Sequence, residues 1–253
     1  MSRIIVIANQ KGGVAKTTTA HCVSIGLTHK KYKTLAVDLD PQGSLSYIMG
    51  ADSGKPGVSE LLREEILAPA AVQNVEQGAI ITGNSYLSSI SRELTGKDAN
   101  KRLSEVLTPY RAVYDFIVID TPPTLGLLSI NALVAADDVI IPVTADALSL
   151  QGLSQLYSTI RVVKQRSNHT LNIAGLLLCR YDGRTVLARE LRQIIADRAE
   201  QMGTRLFSTT IRDGVALKEA QANKANPFKS LFKSKPASDY LDFIEEYLRT
   251  HNV

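Results

Sequence analysis

The chain alternates short apolar runs with longer stretches whose apolar residues recur at helical spacing. Seven runs predict buried strands, because strands covered on both faces carry few polar residues. They are Ile4–Ala8, Thr34–Leu39, Ala79–Thr82, Phe116–Ile119, Val139–Val143, Ile173–Leu178 and Leu206–Ile211. Helices are predicted over Thr17–His29, Leu125–Ala136, Leu150–Gln165 and Val186–Met202. Strands that alternate with helices predict an α/β fold: a doubly wound, mostly parallel β-sheet flanked by helices on both faces.

The C-terminal part differs in pattern from the rest of the chain. Residues Asn223–Pro236 contain two prolines and four lysines, which predicts an irregular loop. A final helix is expected over Asp239–Arg249, with Ser238 as its N-cap. Because acidic residues outnumber the single Arg249 in this helix, it should pack on the body of the protein rather than on anionic lipid.

Length and composition are those of a soluble protein with a full core. The 253 residues, 44% of them hydrophobic, suit a single domain over 1–253 better than two small domains. No apolar run approaches the roughly 18 to 20 residues that span a bilayer, and the N-terminus does not resemble a signal peptide. Cys22 and Cys179 lie far apart without metal-ligand spacing. A cytoplasmic location is therefore expected.

Positive charge is concentrated in one part of the chain. The net charge is +4, but the segment from Arg184 to Lys235 carries eleven basic and five acidic residues, so the remainder is slightly acidic. Such a block favours a polyanionic partner, although a solvated surface is an equally simple interpretation.

The segment N9-Q-K-G-G-V-A-K-T-T-T19 joins the first strand to the first helix, the context that a phosphate-binding loop requires. Gly12 and Gly13 allow backbone N–H groups to turn toward an anion, and the helix N-terminus adds further donors. Lys16 would reach the terminal phosphates, and the Thr17 hydroxyl would bind Mg²⁺. A simple glycine turn is the less favoured interpretation, because lysine, threonine and glycine occur together in this order.

Carboxylates follow two of the predicted strands. F116-I-V-I-D120 ends in an aspartate that can hold the magnesium shell, directly or through water. V37-D-L-D40 ends in two acids, Asp38 and Asp40, on the same rim. One of these two could position an attacking water, and the other could be structural.

These motifs, together with I141-P-V, L150-Q-G-L and Y181-D-G-R-T, resemble those of the deviant Walker A ATPases (P-loop NTPases of the ParA/MinD superfamily), and the ParA/Soj branch most closely. The family loop reads K-G-G-x-G-K-[ST], and the resemblance covers nearly the whole chain. It implies an ATPase that hydrolyses ATP to ADP and phosphate, uses Mg²⁺ and forms an ATP-bound sandwich dimer. In that family the first lysine, here Lys11, reaches the phosphates of the partner subunit.

The resemblance implies a set of site residues. Catalytic roles fall to Lys11, Lys16 and Asp40, and metal binding falls to Thr17, Asp40 and Asp120. Nucleotide binding is expected at Lys11, Gly12, Gly13, Val14, Ala15, Lys16, Thr17, Thr18 and Asp120. The chain departs from the family at Ala15, where glycine is usual; an active site is favoured, but a positive φ would make the Cβ costly. Residues Cys179 and Arg180, and the loop Ile211–Asp213, are weak candidates for contacts with adenine.

The ParA branch implies ATP-dependent, sequence-independent binding of double-stranded DNA, and the basic region 184–235 suits phosphate contacts. Candidate residues are Arg189, Arg212, Lys218 and Lys224. Phe228 and Phe232 lie among lysines there; core anchoring is favoured over stacking on single-stranded bases.

The expected protein is therefore a nucleoid-associated DNA-partitioning ATPase whose hydrolysis is stimulated by a ParB-like centromere-binding protein. Membrane binding, iron–sulfur chemistry and tyrosine autokinase activity lack their expected sequence features. The alternative is a nucleotide-dependent scaffold that positions a protein cargo rather than DNA.

Overall fold

The predicted apolar runs form one sheet in the computed structural model, which describes residues 2–96, 98–229 and 234–251, without the side chains of Ser91, Ala147, Leu148, Leu150 and Gln151. Phe232 and Lys233 of the basic region lie outside the described residues. The strands are β1 (Arg3–Ile7), β2 (Thr34–Asp38), β3 (Val72–Val75), β4 (Gly78–Ile81), β5 (Phe116–Asp120), β6 (Asp138–Val143), β7 (Asn172–Cys179) and β8 (Leu206–Ile211). All seven predicted strands are present, and the α/β fold class is confirmed.

The strand order is β3-β4-β2-β5-β1-β6-β7-β8, and every neighbouring pair is parallel except β3 with β4. Strands β2, β3, β4 and β5 lie on one side of β1, and strands β6, β7 and β8 lie on its other side. β1 is therefore the point at which the strand order reverses. In sheets of this type the crevice outside the carboxyl end of that strand is the usual ligand site.

Strand β3 was not predicted, because its sequence, V-Q-N-V, is polar at its centre. It lies at the edge of the sheet and pairs antiparallel with β4 through a tight turn. An edge strand has one neighbour and exposed faces, so it does not need the apolar run that marks a central strand.

Helices cover both faces of the sheet. They are α1 (Lys16–His29), α2 (Ser44–Met49), α3 (Val58–Leu62), α4 (Leu87–Glu93), α5 (Arg102–Leu107), α6 (Leu127–Ala135), α7 (Ala147–Arg166), α8 (Val186–Gln201), α9 (Val215–Ala222) and α10 (Lys235–Thr250), with 3₁₀ turns at Ala68–Ala71 and Thr108–Ala112. Apolar residues of α1, α2, α9 and α10 pack on one face, and those of α3 to α8 pack on the other. None of the described helices is long and apolar enough to cross a bilayer.

Helix α10 begins at Lys235, four residues before the expected start, and its N-cap is Ser234 rather than Ser238. The prediction failed because Pro236 was taken as a loop residue, whereas proline fits the first turn of a helix, where its missing N–H is not needed. As expected, Tyr240, Ile244 and Tyr247 are buried against the body. The Tyr247 hydroxyl donates to the buried Asp138 carboxylate at 2.7 Å, which ties the helix to β6.

Candidate nucleotide-binding site

The candidate phosphate loop leaves the carboxyl end of β1 and enters α1 at Lys16, at the reversal point of the sheet. Its start is held by Asn9, which is buried and whose side-chain amide donates to Pro142 O of β6 at 2.6 Å. The side-chain oxygen Oδ1 of Asn9 accepts the Lys11 backbone N–H at 3.0 Å. Asn9 therefore connects the loop to the neighbouring strand, a role that sequence reasoning missed because the partner lies 133 residues away.

Ala15, the residue that departs from the family loop, adopts the left-handed conformation, with φ 70° and ψ 30°. Its carbonyl oxygen accepts the Thr19 N–H at 2.8 Å and so begins the hydrogen bonding of α1. For a residue with a Cβ this conformation costs on the order of 1–2 kcal/mol, and glycine avoids that cost. The loop therefore retains the backbone geometry that suits glycine while carrying a residue that strains it.

Lys16 lies inside the loop rather than in solvent. Only 7% of the residue is exposed, and its ammonium donates to Lys11 O at 2.9 Å, across the mouth of the loop. Burial lowers the pKa of Lys16, while the charges of Asp120 and Asp40 act to raise it. The ammonium is placed where a bound phosphate would replace a backbone carbonyl as its acceptor.

Lys11 does not extend into solvent within this chain. Its ammonium lies 2.5 Å and 2.6 Å from the two carboxylate oxygens of Asp146, and 3.3 Å from Ser149 Oγ. Asp146 is also the N-cap of α7 and accepts the Ser149 N–H at 3.0 Å. Burial acts to raise the pKa of Asp146, but the bonds from Lys11 and Thr144 outweigh it and lower this pKa to about 2. The sequence signal for Asp146 was its capping position, which the predicted helix start at Leu150 missed.

Asp38, Asp40 and Asp120 follow or end the strands beside the loop, and they have different surroundings. Asp38 and Asp120 are register partners at the ends of β2 and β5, and both are fully buried. Asp38 accepts the Ser46 N–H at 2.8 Å and the Ser46 hydroxyl at 2.7 Å, so it holds the start of α2. Asp40 is half-buried at the edge of the nucleotide cavity. Asp38 therefore stabilises the fold through Ser46, whereas the Asp40 side chain is accessible from the nucleotide cavity.

Asp120 has the fewest hydrogen bonds of these three aspartates. Within the described part of the chain, neither of its carboxylate oxygens has a hydrogen-bond partner. Burial and the charge of Asp38 raise the pKa of Asp120 well above its usual value, and burial raises the pKa of Asp38 to about 6. The positive charge of Lys16 and the nearby Thr17 hydroxyl offset this rise only in part, and a buried carboxylate is costly unless a cation balances it.

Mg²⁺ fits this arrangement. The Asp120 carboxylate lies near the Thr17 side chain, and Thr17 lines the nucleotide cavity. Among residues 2–96, 98–229 and 234–251 no three His, Cys, Asp or Glu side chains converge as a metal site. In nucleotide sites Mg²⁺ is held by one or two protein oxygens together with phosphates and water, and Thr17 and Asp120 could supply such oxygens.

A cavity of about 360 Å³ extends from the loop toward β7, β8 and α10. Gly12, Lys16 and Thr18 line one end, and the other end has an apolar wall with polar residues around it. That wall includes Cys179, Ile211, Leu217 and Tyr240, and the polar residues include Arg180, Asp213, Lys218 and Gln221. The weak adenine candidates Cys179, Arg180 and Ile211–Asp213 thus all line the cavity. Leu217, Gln221 and Tyr240 were missed, because they lie on helices distant in sequence.

The four candidate DNA-binding residues do not form one patch. Arg212 and Lys218 line the nucleotide cavity; Arg212 pairs with Asp239 of α10 at 2.5 Å, and Lys218 lies 3.7 Å from Asp213. Arg189 and Lys224 are exposed. α8, which carries Arg189, packs on one face of the sheet, whereas α9, which Lys224 follows, packs on the other. Their role in DNA binding stays a prediction.

Lys224 and Phe228 also have contacts within the chain. The Lys224 ammonium lies 4.6 Å from the centre of the Tyr47 ring, in a cation–π contact. Phe228 is half-buried, packs against the core on the α1 side and lies near His29. Core anchoring is thus what the structure shows for Phe228.

Comparison with known proteins gives one consistent result. Residues 2–173 match the protein family described as AAA domain. The chain is 35% identical to the chromosome partitioning protein ParA of Myxococcus xanthus over 257 aligned positions, covering 98% of this chain and 89% of that protein. It is 35% identical to the sporulation initiation inhibitor protein Soj of Bacillus subtilis over 254 positions, covering 97% and 98%.

A solved structure shares the fold and has nucleotide bound. The crystal structure of cobyrinic acid a,c-diamide synthase from Mycobacterium smegmatis, with bound ADP and magnesium, matches with a TM-score of 0.87 and 33% identity, covering 100% of this chain and 96% of that one. The Cyanothece McdA(D38A)-ATP complex has a TM-score of 0.87 at 23% identity, covering 98% and 96%, which supports the fold alone.

Proposed function

The chain belongs to the ParA/Soj family of partitioning ATPases, and we propose that it partitions DNA by an ATP-driven cycle of dimerisation and DNA binding on the nucleoid. It hydrolyses ATP with Mg²⁺ as cofactor. In the proposed cycle an ATP-bound sandwich dimer binds double-stranded DNA without sequence preference. A ParB-like centromere-binding protein stimulates hydrolysis, and the ADP-bound monomers leave the DNA.

The phosphate loop and the buried Asp120 carboxylate beside it together carry this proposal. The loop N–H groups and the Lys16 ammonium would bind the phosphates. Thr17 and Asp120 would hold Mg²⁺, which supplies positive charge against the phosphate oxygens. Asp40, half-buried at the cavity edge, would accept a proton from the attacking water or orient it.

Lys11 supports the dimer part of the proposal. In the single chain its ammonium is paired with Asp146, so it leaves that carboxylate before it reaches a partner's phosphates. An arriving ATP-bound subunit would offer phosphate oxygens as a competing acceptor. This exchange makes the availability of Lys11 depend on the second subunit, and it supplies a cation where charge develops during hydrolysis.

The argument for DNA binding by the basic region 184–235 is electrostatic. Arg189 and Lys224 are exposed and keep their positive charges at the surface. Each phosphate contact contributes little at physiological salt, but a dimer doubles the contacts on one rigid body. ATP can therefore raise DNA affinity through dimerisation, without moving any basic side chain inside a subunit.

A mobility-shift series on two unrelated duplexes tests the DNA step. With a slowly hydrolysed ATP analogue, the wild type should bind both duplexes alike and lose affinity as salt rises. Arg189→Glu with Lys224→Glu should weaken both complexes and flatten the salt dependence, while ATP binding is unchanged. Lys16→Ala, which removes phosphate binding, is the control without nucleotide. Equal DNA binding with ATP and ADP would exclude the switch, and a strong preference for one duplex would exclude sequence-independent binding.

A pull-down in the ATP state tests the partner. Capture of a centromere-binding protein supports partitioning of DNA, whereas capture of a protein cargo supports the scaffold alternative. ATP turnover that rises with DNA and partner, and needs no added carboxylic acid or amide-nitrogen donor, would also separate this chain from the reaction named for the diamide synthase.

A further inference from the structure

Arg180 stands at the wall of the nucleotide cavity in an unusual backbone conformation. It directly follows β7 and has φ 54°, in the left-handed region that a residue with a Cβ adopts rarely. The residues on either side are fixed to β8: Cys179 pairs in register with Ile211, and the Tyr181 N–H donates to Ile211 O at 2.9 Å. The kink between these two anchors places the Arg180 side chain along the cavity.

Among the described residues, the guanidinium group of Arg180 has only two long contacts. Its Nη1 lies 3.5 Å from Gly13 O in the phosphate loop, and its Nε lies 3.5 Å from Asp213 Oδ1. The side chain is 49% exposed. By contrast, Arg212 holds Asp239 through two bonds of 2.5 Å and 2.9 Å. A guanidinium has five N–H donors, so most of the donor capacity of Arg180 is available to a stronger acceptor.

The position of Arg180 indicates which acceptor that is. It lines both the nucleotide cavity and the adjoining hollow that contains Lys11, Gly12 and Asp146. The Gly13 carbonyl that it approaches belongs to the loop that is proposed to bind the phosphates. Phosphate oxygens bound there would be charged acceptors within reach of a planar group suited to them.

We propose that Arg180 binds phosphate oxygens of the nucleotide from the β7 side of the site, as a cation of the same subunit that acts beside Lys16. On binding, its donors leave Gly13 O for the phosphates, while Asp213 keeps the guanidinium oriented. The strained backbone at Arg180 holds the side chain in place before the nucleotide arrives. The proposal rests on ATP binding alone and is independent of dimerisation and DNA.

Titration calorimetry with ADP and a slowly hydrolysed ATP analogue tests this assignment. Arg180→Gly removes the guanidinium and accepts the left-handed backbone without strain. It should weaken both nucleotides about fivefold to tenfold, the effect of one charge-assisted hydrogen bond at a half-exposed site. Arg180→Lys should lie between this variant and the wild type. Arg198→Ala removes a positive charge at an exposed position near the C-terminal end of α8. This control should bind both nucleotides like the wild type.

The salt dependence of the affinity and the thermal stability distinguish a phosphate contact of Arg180 from a role in holding the fold. The affinity lost in Arg180→Gly should shrink as salt rises from about 0.05 to 0.5 M, because ions screen a phosphate contact. Its Tm without nucleotide should not fall. Unchanged nucleotide affinity, a loss independent of salt, or a loss accompanied by a lower Tm would each overturn the assignment. Failure of the wild type to bind ATP would instead contradict the ATPase function itself.

Discussion

The Lys11 ammonium lies 2.5 Å from Asp146 Oδ1 in the same chain, although 135 residues separate the two in sequence. β1 and β6 are neighbours in the sheet, so the loop after one strand meets the helix start after the other. The ion pair is part of a small network, because Thr144 and Ser149 also bond to Asp146. Lys11, the lysine expected to act on a partner subunit, is thus bound to Asp146 of its own subunit in the single chain.

Asp146→Asn should favour the ATP-bound dimer. The amide removes the charge that holds Lys11 but still caps α7, because asparagine is as good an N-cap as aspartate. Each partly exposed pair contributes about 0.2–1 kcal/mol, and a symmetric dimer breaks two of them, so the dimer dissociation constant should fall by up to about thirtyfold. Sedimentation with a slowly hydrolysed ATP analogue measures this.

Lys11→Ala provides the control for this prediction. It should lose dimerisation and hydrolysis while keeping much of the nucleotide affinity of the monomer. In the Lys11→Ala background, Asp146→Asn should have no effect on association. A dimer of Lys11→Ala that still hydrolyses ATP would contradict the action of Lys11 across the interface.

Asp120→Asn should stabilise the nucleotide-free protein and abolish Mg²⁺-dependent hydrolysis. The substitution removes a buried charge that Lys16 and Thr17 balance only in part, which should add about 1–3 kcal/mol to the free energy of unfolding at pH 8. Carboxyls whose folded-state pKa is raised stabilise the fold at pH below the unfolded value, near 3.9, and lose that contribution as pH rises through the folded value. For Asp38 the folded pKa is about 6, and that of Asp120 is also raised.

The stability difference between Asp120→Asn and the wild type should therefore grow from pH 5 to pH 8 in urea unfolding curves. The buried His21, whose pKa burial lowers to about 4, acts in the opposite direction over the acid part of this range. It is present in both proteins, so its contribution cancels in the difference. Asp197→Asn, at an exposed position of α8, should show no such trend. A destabilised Asp120→Asn would mean that the carboxylate has partners in the folded protein.

Ala15→Gly should stabilise the protein by about 0.5–1 kcal/mol. Glycine relieves the left-handed strain, and part of that gain is offset by the greater freedom of glycine in the unfolded chain. Ala196→Gly, in the middle of α8 where the backbone is helical, should destabilise by about 1 kcal/mol. Urea unfolding of the three proteins gives both values. A loss of stability in Ala15→Gly would show that the Ala15 methyl group contributes more through packing than it costs in strain.

Asp40→Ala should accumulate the ATP-bound dimer. Dimerisation needs the phosphates and their cations, whereas hydrolysis also needs a positioned water. Asp40 is half-buried at the cavity edge, so its loss should not disturb the fold, unlike that of Asp38, which holds Ser46. Slow turnover with a persistent dimer is expected by light scattering. A monomer unable to bind ATP would assign Asp40 to the metal shell instead.

The sequence by itself determined the central strands, the long helices and the identity of the loop. Buried parallel strands such as Phe116–Asp120 require continuous apolar residues, and a phosphate loop requires glycine, lysine and threonine at set spacing, so both are visible over a few residues. Short or polar elements lack such local requirements. For that reason the edge strand Val72–Val75 and the true start of α10 at Lys235 were missed.

Only the tertiary structure decided what each charged group faces. The partner of Lys11, the orphaned oxygens of Asp120 and the pairing of Arg212 with Asp239 all depend on which strands and helices become neighbours. The positive φ of Ala15 likewise depends on the loop being fixed at both ends, by Asn9 before it and α1 after it. These contacts join residues far apart in sequence, and no local pattern of apolar and polar residues specifies them.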